Sequence, residues 1–186
     1  MIRTIRFITF ADQNPFTRTM KKTGIFYGST GGSTRKTAGL IQKNLGDKTA
    51  ALHDIKQIDP KTVLSYDNLI LGTSAWGIGD MQYDWEDFID TLVELDLSDK
   101  TIALFGLGDQ KKYPESFADG LGQLYCRLPV KTNVVGFTST DGYDYYFSMA
   151  EKDGKFVGLV IDEDSQSGLT EKRVKQWVMQ LKKEMK

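Results

Sequence analysis

Short apolar runs alternate with amphipathic stretches from Thr23 to the end of the chain. Residues 23–28, 49–53, 68–73, 101–106 and 134–137, with a further apolar piece at 156–161, predict strands. Between them Ala38, Ile41 and Leu45, then Trp85, Phe88, Ile89 and Leu92, then Phe117, Leu121 and Leu124 recur at helical spacing. Val174, Trp177, Val178 and Leu181 repeat that spacing near the C-terminus. The alternation predicts an α/β fold: a doubly wound, five-stranded parallel sheet with helices on both faces and the fifth strand split. No repeat, low-complexity tract or proline-rich linker interrupts it, so residues 20–186 read as one domain.

In such sheets ligands bind beyond the carboxyl ends of the strands, near the point where strand order reverses. The segment after the first strand is Gly28-Ser29-Thr30-Gly31-Gly32-Ser33-Thr34. A run of glycines and small hydroxyls between strand and helix lets several N–H groups point inward at a helix N-terminus, which suits a phosphate. The competing reading is a turn that caps the first helix through Ser33 or Thr34. The segment matches neither the triphosphate-binding pattern G-x-x-x-x-G-K-[ST] nor the dinucleotide pattern G-x-G-x-x-G, so a phosphate monoester fits better. Gly106 and Gly108 form another glycine pair after a strand, without the third glycine of a dinucleotide site.

The loops after the third and fourth strands carry Ser74, Ala75, Trp76 and Gly77, and then Leu107, Gly108, Asp109 and Tyr113. Trp76 and Tyr113 stand among glycines and polar residues rather than on amphipathic stripes. Each taken singly is equally a lid over the sheet edge; together, beside a phosphate loop, they suit a planar ring held between aromatic faces.

Composition narrows the partners. The formal charge of -1 over 186 residues gives no reason to expect nucleic acid or an anionic membrane. Cys126 is the single cysteine, so this chain alone builds no disulfide and no all-cysteine cluster; redox work needs a bound cofactor. It reads as a half-buried structural thiol, and His53 as a structural histidine. No apolar run is long enough for a spanning helix. Acids crowd at Asp80, Asp84, Glu86 and Asp87, and at Asp162, Glu163 and Asp164. The first group is either a solvated helix face or a surface that steers basic partners. Residues 1–19 hold Arg3, Arg6 and Arg18 against Asp12 alone and precede Met20. They read as an extension that is an unused upstream start, a disordered tail or a targeting segment.

These residues resemble the flavodoxin family, specifically its long-chain group. The segment from Gly28 to Thr34 is similar to the family's FMN phosphate loop. Gly72-Thr73-Ser74-Ala75-Trp76-Gly77-Ile78-Gly79 is similar to its tryptophan loop, and Gly108-Asp109-Gln110-Lys111-Lys112-Tyr113 to its tyrosine loop. The similarity continues through Ser139-Thr140-Asp141-Gly142-Tyr143-Asp144 to Asp162-Glu163-Asp164-Ser165-Gln166 and spans nearly all of the chain from Lys22. Residues 138–156 resemble the insertion that splits the fifth strand in the long-chain group. Gly31 and Leu107 stand where the family usually has hydroxyl-bearing or polar residues, and each removes a side-chain contact worth about 0.5–1.5 kcal/mol.

The resemblance implies a flavodoxin-like fold and a noncovalently bound FMN cycling among oxidised, semiquinone and hydroquinone states. It implies a low-potential electron carrier, not an enzyme. The cofactor would be held by Ser29, Thr30, Gly31, Gly32, Ser33, Thr34, Ser74, Ala75, Trp76, Gly77, Leu107, Gly108, Asp109 and Tyr113. Trp76 and Tyr113 would cover the two ring faces, and the peptide between Gly77 and Ile78 would turn during reduction. The family also implies a cytoplasmic monomer that meets redox protein donors of the ferredoxin–NADP reductase or pyruvate oxidoreductase type. Two rivals share the pattern: an NAD(P)H-dependent flavin or quinone reductase of the same fold, and a flavin-free α/β binding module.

Overall fold

The computed structural model describes residues 23–185; the extension expected over residues 1–19 lies outside them. β1 (Thr23–Tyr27) leads into α1 (Ser33–Leu45), followed by β2 (Ala50–Asp54), β3 (Asn68–Trp76) and β4 (Asp80–Met81). Next come α2 (Asp84–Val93), β5 (Thr101–Leu107), α3 (Asp119–Arg127) and β6 (Asn133–Val135). The chain ends with β7 (Thr138–Ser139), β8 (Glu151–Lys152), β9 (Lys155–Phe156), β10 (Leu159–Ile161) and α4 (Thr170–Glu184).

The main sheet runs β2-β1-β3-β5 with parallel neighbours. Both β6 and β10 then pair in parallel with the outer side of β5: β6 beside Thr101–Ala103 and β10 beside Phe105–Leu107. Two short strands thus share the fifth position, as the split apolar pattern predicts. The chain between them builds a three-stranded antiparallel sheet, β7-β9-β8.

Alternation along each strand creates two cores. Phe26, Leu69, Leu71, Ile102, Leu104 and Val160 pack with Trp85, Phe88, Ile89 and Leu92 of α2 and Leu121 and Leu124 of α3. Their chain neighbours Ile25, Ile70, Ala103, Phe105, Leu159 and Ile161 pack on the other face with Ala38 and Ile41 of α1 and Val174, Trp177, Val178 and Leu181 of α4. That period of two is what a sheet covered on both faces requires. The buried indoles are satisfied: Trp85 Nε1 donates to the Gly72 carbonyl at 2.8 Å and Trp177 Nε1 to the Gly136 carbonyl at 2.7 Å.

Three details depart from the sequence pattern. The third strand does not stop at Thr73; it runs to Trp76 because β4 folds back antiparallel and pairs Ala75 with Met81 and Trp76 with Asp80. Phe117 has helical spacing yet lies outside α3, because Ala118 adopts a left-handed φ of 56° and the helix starts at Asp119. The apolar piece at 156–161 is not one strand: it contributes β9 to the small sheet and β10 to the main one.

Gly72 lies against the Phe105 ring, where an added Cβ would come within 1.9 Å of Cζ. Gly72→Ala is therefore expected to destabilise the fold by about 1–3 kcal/mol through overpacking. A urea midpoint that drops at unchanged slope checks this.

Candidate functional site

The chain leaves β1 with the Gly28 N–H donating to the Gly72 carbonyl at 3.1 Å and then turns sharply. The turn is held from inside: Ser29 Oγ accepts from the Gly32 N–H at 3.1 Å and from the Arg35 N–H at 3.4 Å. Gly32 (φ 93°) is the residue that caps α1. Neither Ser33 nor Thr34 caps, contrary to the turn reading; they open the helix, where N–H groups lack intrahelical acceptors. The N–H groups of Ser29, Thr30 and Gly31 also have no acceptor among the described residues. A Cβ added at Gly31 would meet nothing within 4 Å, so the loop is open beside that residue. Thr30 Oγ1 accepts from Gln82 Nε2 at 3.2 Å, and Gln82 also binds Asp84 through its Nε2 and Oε1.

Trp76 stands at the corner of a hairpin. The Gly79 N–H donates to the Trp76 carbonyl at 2.9 Å, and Gly77 has φ 56° at the first central position, the sign of a type II′ turn that favours glycine there. Trp76 Nε1 donates to Ser74 Oγ at 3.0 Å, which fixes the indole relative to the strand. Ile78 at the tip is 88% exposed.

In the third loop Asp109 Oδ1 accepts from the Lys111 and Lys112 N–H groups at 3.0 Å each, and the Tyr113 N–H donates to the Asp109 carbonyl at 3.0 Å. The loop is anchored by Gln110 on the buried carboxylate of Asp162. Asp162 Oδ2 accepts from the Gln110 N–H at 3.2 Å and from Gln110 Nε2 at 2.8 Å, and Oδ1 from the Ser165 N–H at 2.8 Å. Burial works to raise the Asp162 pKa, but the Ser165 and Gln110 hydrogen bonds outweigh it and hold the group below its ordinary value. Gln110 Oε1 in turn accepts from the Asp144 N–H of the insertion at 2.6 Å. Below this hub Tyr143 is pushed up to about 12 by burial, with Arg173 opposing the shift.

One cleft gathers these segments. Gly31, Ser33 and Thr34 of the first loop, Ser74, Ala75, Trp76 and Gly77 of the second, and Leu107, Gly108, Asp109 and Tyr113 of the third all line it. Ser29, Thr30 and Gly32 do not line it; they shape the loop that does. Sequence reasoning assigned no site role to Gly79, Lys112, Ser116, Glu163 and Asp164, all of which also line the cleft. The run Asp162-Glu163-Asp164 was visible as an acidic segment, but only the split fifth strand brings it to this edge. Glu163 is notable for its chemistry: one carboxylate oxygen pairs with Lys36 Nζ at 3.2 Å, while Oε1 is buried without a hydrogen-bond partner.

The remaining candidates take structural places. His53 Nε2 meets Tyr66 Oη at 2.7 Å and its ring stacks on Phe26 at 4.9 Å. Cys126 is exposed, not half-buried, because it falls on the outer side of α3. Asp84, Glu86 and Asp87 occupy the first turn of α2, where the helix dipole favours negative charge. Among the described residues no helix is long and apolar enough to cross a membrane, and no cluster could hold a metal ion.

The family profile described as Flavodoxin matches residues 25–177. The chain belongs to the flavodoxin family. It is 43% identical over 165 residues to a flavodoxin of Nostoc sp., covering 88% of this chain and 97% of that protein. It is 44% identical over 168 residues to flavodoxin 1 of Escherichia coli, covering 89% and 96%. In structure it is similar to the flavodoxin of Fusobacterium nucleatum bound to flavin mononucleotide, with a TM-score of 0.84, 36% identity and coverage of 90% of this chain and all of that one. The strand order and split fifth position agree with this membership and with the long-chain group.

The Asp162 hub makes a pH-dependent prediction. A carboxyl whose folded pKa is depressed contributes stability above its ordinary value of 3.8 and loses it as the pH falls through the lower folded value. Asp162→Asn should cost about 2–3 kcal/mol at pH 7. The gap from the parent should be full near neutral pH and begin to narrow as the pH falls below about 4, which urea unfolding across pH 3 to 7 checks.

Proposed function

We propose that the cleft holds FMN noncovalently and that the chain is a low-potential one-electron carrier rather than an enzyme. The observation that carries this reading is that one cleft is lined both by Gly31, Ser33 and Thr34 at the start of α1, whose N–H groups lack intrahelical acceptors, and by Trp76 and Tyr113. The first suits a phosphate monoester at a helix N-terminus, the second a flat conjugated ring. The orphan Glu163 Oε1 fits as well, since a polyhydroxy chain between ring and phosphate offers the donor that the protein lacks. The flavodoxins it resembles, one of them solved with FMN, support the same reading.

Bound FMN supplies one-electron chemistry at its ring. The N–H groups of Gly31, Ser33 and Thr34, which line the cleft, would bind the phosphate, with no cation required in the loop itself. Trp76 and Tyr113 would exclude water from the ring faces. The acids Asp80 and Asp84 would make added negative charge more costly and so lower the potential. Lys112, with Nζ 5.2 Å from the Tyr113 ring centre, works in the opposite direction on that side. Glycine at 77 would let the Gly77–Ile78 peptide reorient, because no Cβ restricts its φ.

The carrier reading includes a cytoplasmic, monomeric protein loaded by a donor of the ferredoxin–NADP reductase or pyruvate oxidoreductase type. The acidic start of α2 would meet a basic docking face, so partner reduction rates should fall as salt rises from about 0.01 to 0.5 M. A flat salt profile in stopped-flow measurements removes the steering role.

Apoprotein should take up FMN with loss of flavin fluorescence. Gln82→Ala, which frees Thr30 and also removes both bonds to Asp84, should weaken uptake about three- to tenfold through the loss of the bond to the loop. NADPH alone should leave the bound flavin oxidised under anaerobic conditions. Rapid bleaching would instead indicate the reductase activity, and absence of uptake would overturn the reading altogether.

A further inference from the structure

The hairpin that carries Trp76 does not stand by itself; it rests on the first two turns of α3. Gln123 reaches the returning arm, with Nε2 donating to the Gly79 carbonyl at 3.0 Å and Oε1 accepting from the Met81 N–H at 3.3 Å. The amide of Gln123 thus bonds the hairpin backbone as a neighbouring strand would. Asp119 forms the floor beneath the turn: a Cβ added at Gly79 would lie 2.8 Å from Asp119 Cβ and 3.0 Å from Oδ2. Gly120 completes the contact, since a Cβ there would come within 2.9 Å of the Ser74 carbonyl oxygen.

The same carboxylate faces the insertion. Asp119 Oδ1 accepts from the Met149 N–H at 2.7 Å, and Ser148 Oγ donates to the Phe117 carbonyl just before α3. Asp119 is aimed by a strained neighbour: Ala118 is buried and left-handed at φ 56°, a conformation that a residue with a Cβ holds only when its surroundings enforce it. Asp119 is itself only 7% exposed, so its two contacts are made out of water.

We propose that Asp119 and Gln123 are positioning residues that lock the Trp76 hairpin to α3 and, through the Met149 N–H, to the insertion, so that insertion and hairpin open as one unit. The inference rests on the FMN reading only for its consequence, that the unit sets how tightly the ring is covered. Its structural content holds for the apoprotein. The insertion is then a brace for the cofactor wall, although it lines the cleft with none of its residues.

Amide hydrogen exchange on the apoprotein, followed residue by residue, tests this together with FMN titration by flavin fluorescence and thermal melting. Gln123→Met fills the same space without either hydrogen bond. It should speed exchange at Gly79 and Met81 about tenfold and weaken FMN about threefold, leaving exchange in α1 unchanged. Asp119→Asn keeps an acceptor for Met149 and should stay within about twofold of the parent in both readings. Asp119→Ala should speed exchange at the hairpin and at Met149 together; Asp119→Ser serves the same comparison if the alanine variant does not fold.

Ser148→Ala, which loosens the insertion, should speed hairpin exchange in the parent but add nothing in Asp119→Ala. Full additivity of those two changes overturns the coupling. So does exchange that rises evenly over the whole chain, or hairpin amides that do not respond. Should the exchange pattern appear while FMN fails to bind even the parent, the functional reading falls and the brace stands.

Discussion

The carboxylate of Asp162 is the constraint on which the working edge of this molecule depends. It sits fully buried at the end of β10 and is held ionised by N–H and hydroxyl donors from Gln110, Asp164 and Ser165. An isolated buried carboxylate would be costly, so the donors must stay in place. Through Gln110 they fix the loop that carries Tyr113, and through the Asp144 N–H they fix the insertion. Glu163 and Asp164 follow directly, so the same group places the acidic side of the cleft.

The opposite side is built from backbone rather than charge. Ser29 folds the first loop around its own hydroxyl, Gln82 joins that loop to the start of α2, and Gln123 clasps the tryptophan hairpin. Each is an uncharged side chain working on main-chain groups or a neighbouring hydroxyl, and Gln82 meets the Asp84 carboxylate as well. That arrangement leaves the N–H groups of Gly31, Ser33 and Thr34 facing the cleft, with Arg35 and Lys36 engaged by Asp54 and Glu163. Dipoles fixed in advance bind an anion without the reorganisation that long cationic side chains require. The departure at Gly31 gives up a hydroxyl but leaves the loop open at that point.

The fold was legible in the sequence because its period is strong: strands buried on both faces and helices with one apolar stripe leave little ambiguity. The split fifth strand was also legible, from two apolar pieces separated by a polar stretch. The edges were not. The extension of β3 to Trp76 depends on pairing with β4, whose partner residues lie several positions ahead, and a left-handed Ala118 has no signature in composition. The cleft-lining loops were found from glycine and aromatic placement, and the structure brings Gly31, Trp76, Asp109 and Tyr113 together. Gln82, Gln110 and Gln123 escaped notice because a glutamine declares its role only through the groups it meets. The capping role passed from Ser33 to Gly32 for a similar reason, since Ser29 competes for the same N–H groups.

With FMN bound, this cleft would make a carrier of single electrons at low potential. Anaerobic, stepwise reduction of the FMN-loaded protein, followed by its visible spectrum at controlled potential, tests it most directly. Two separate one-electron steps, the second well below that of free FMN, are the predicted result. A single two-electron step at the potential of free FMN would contradict the account.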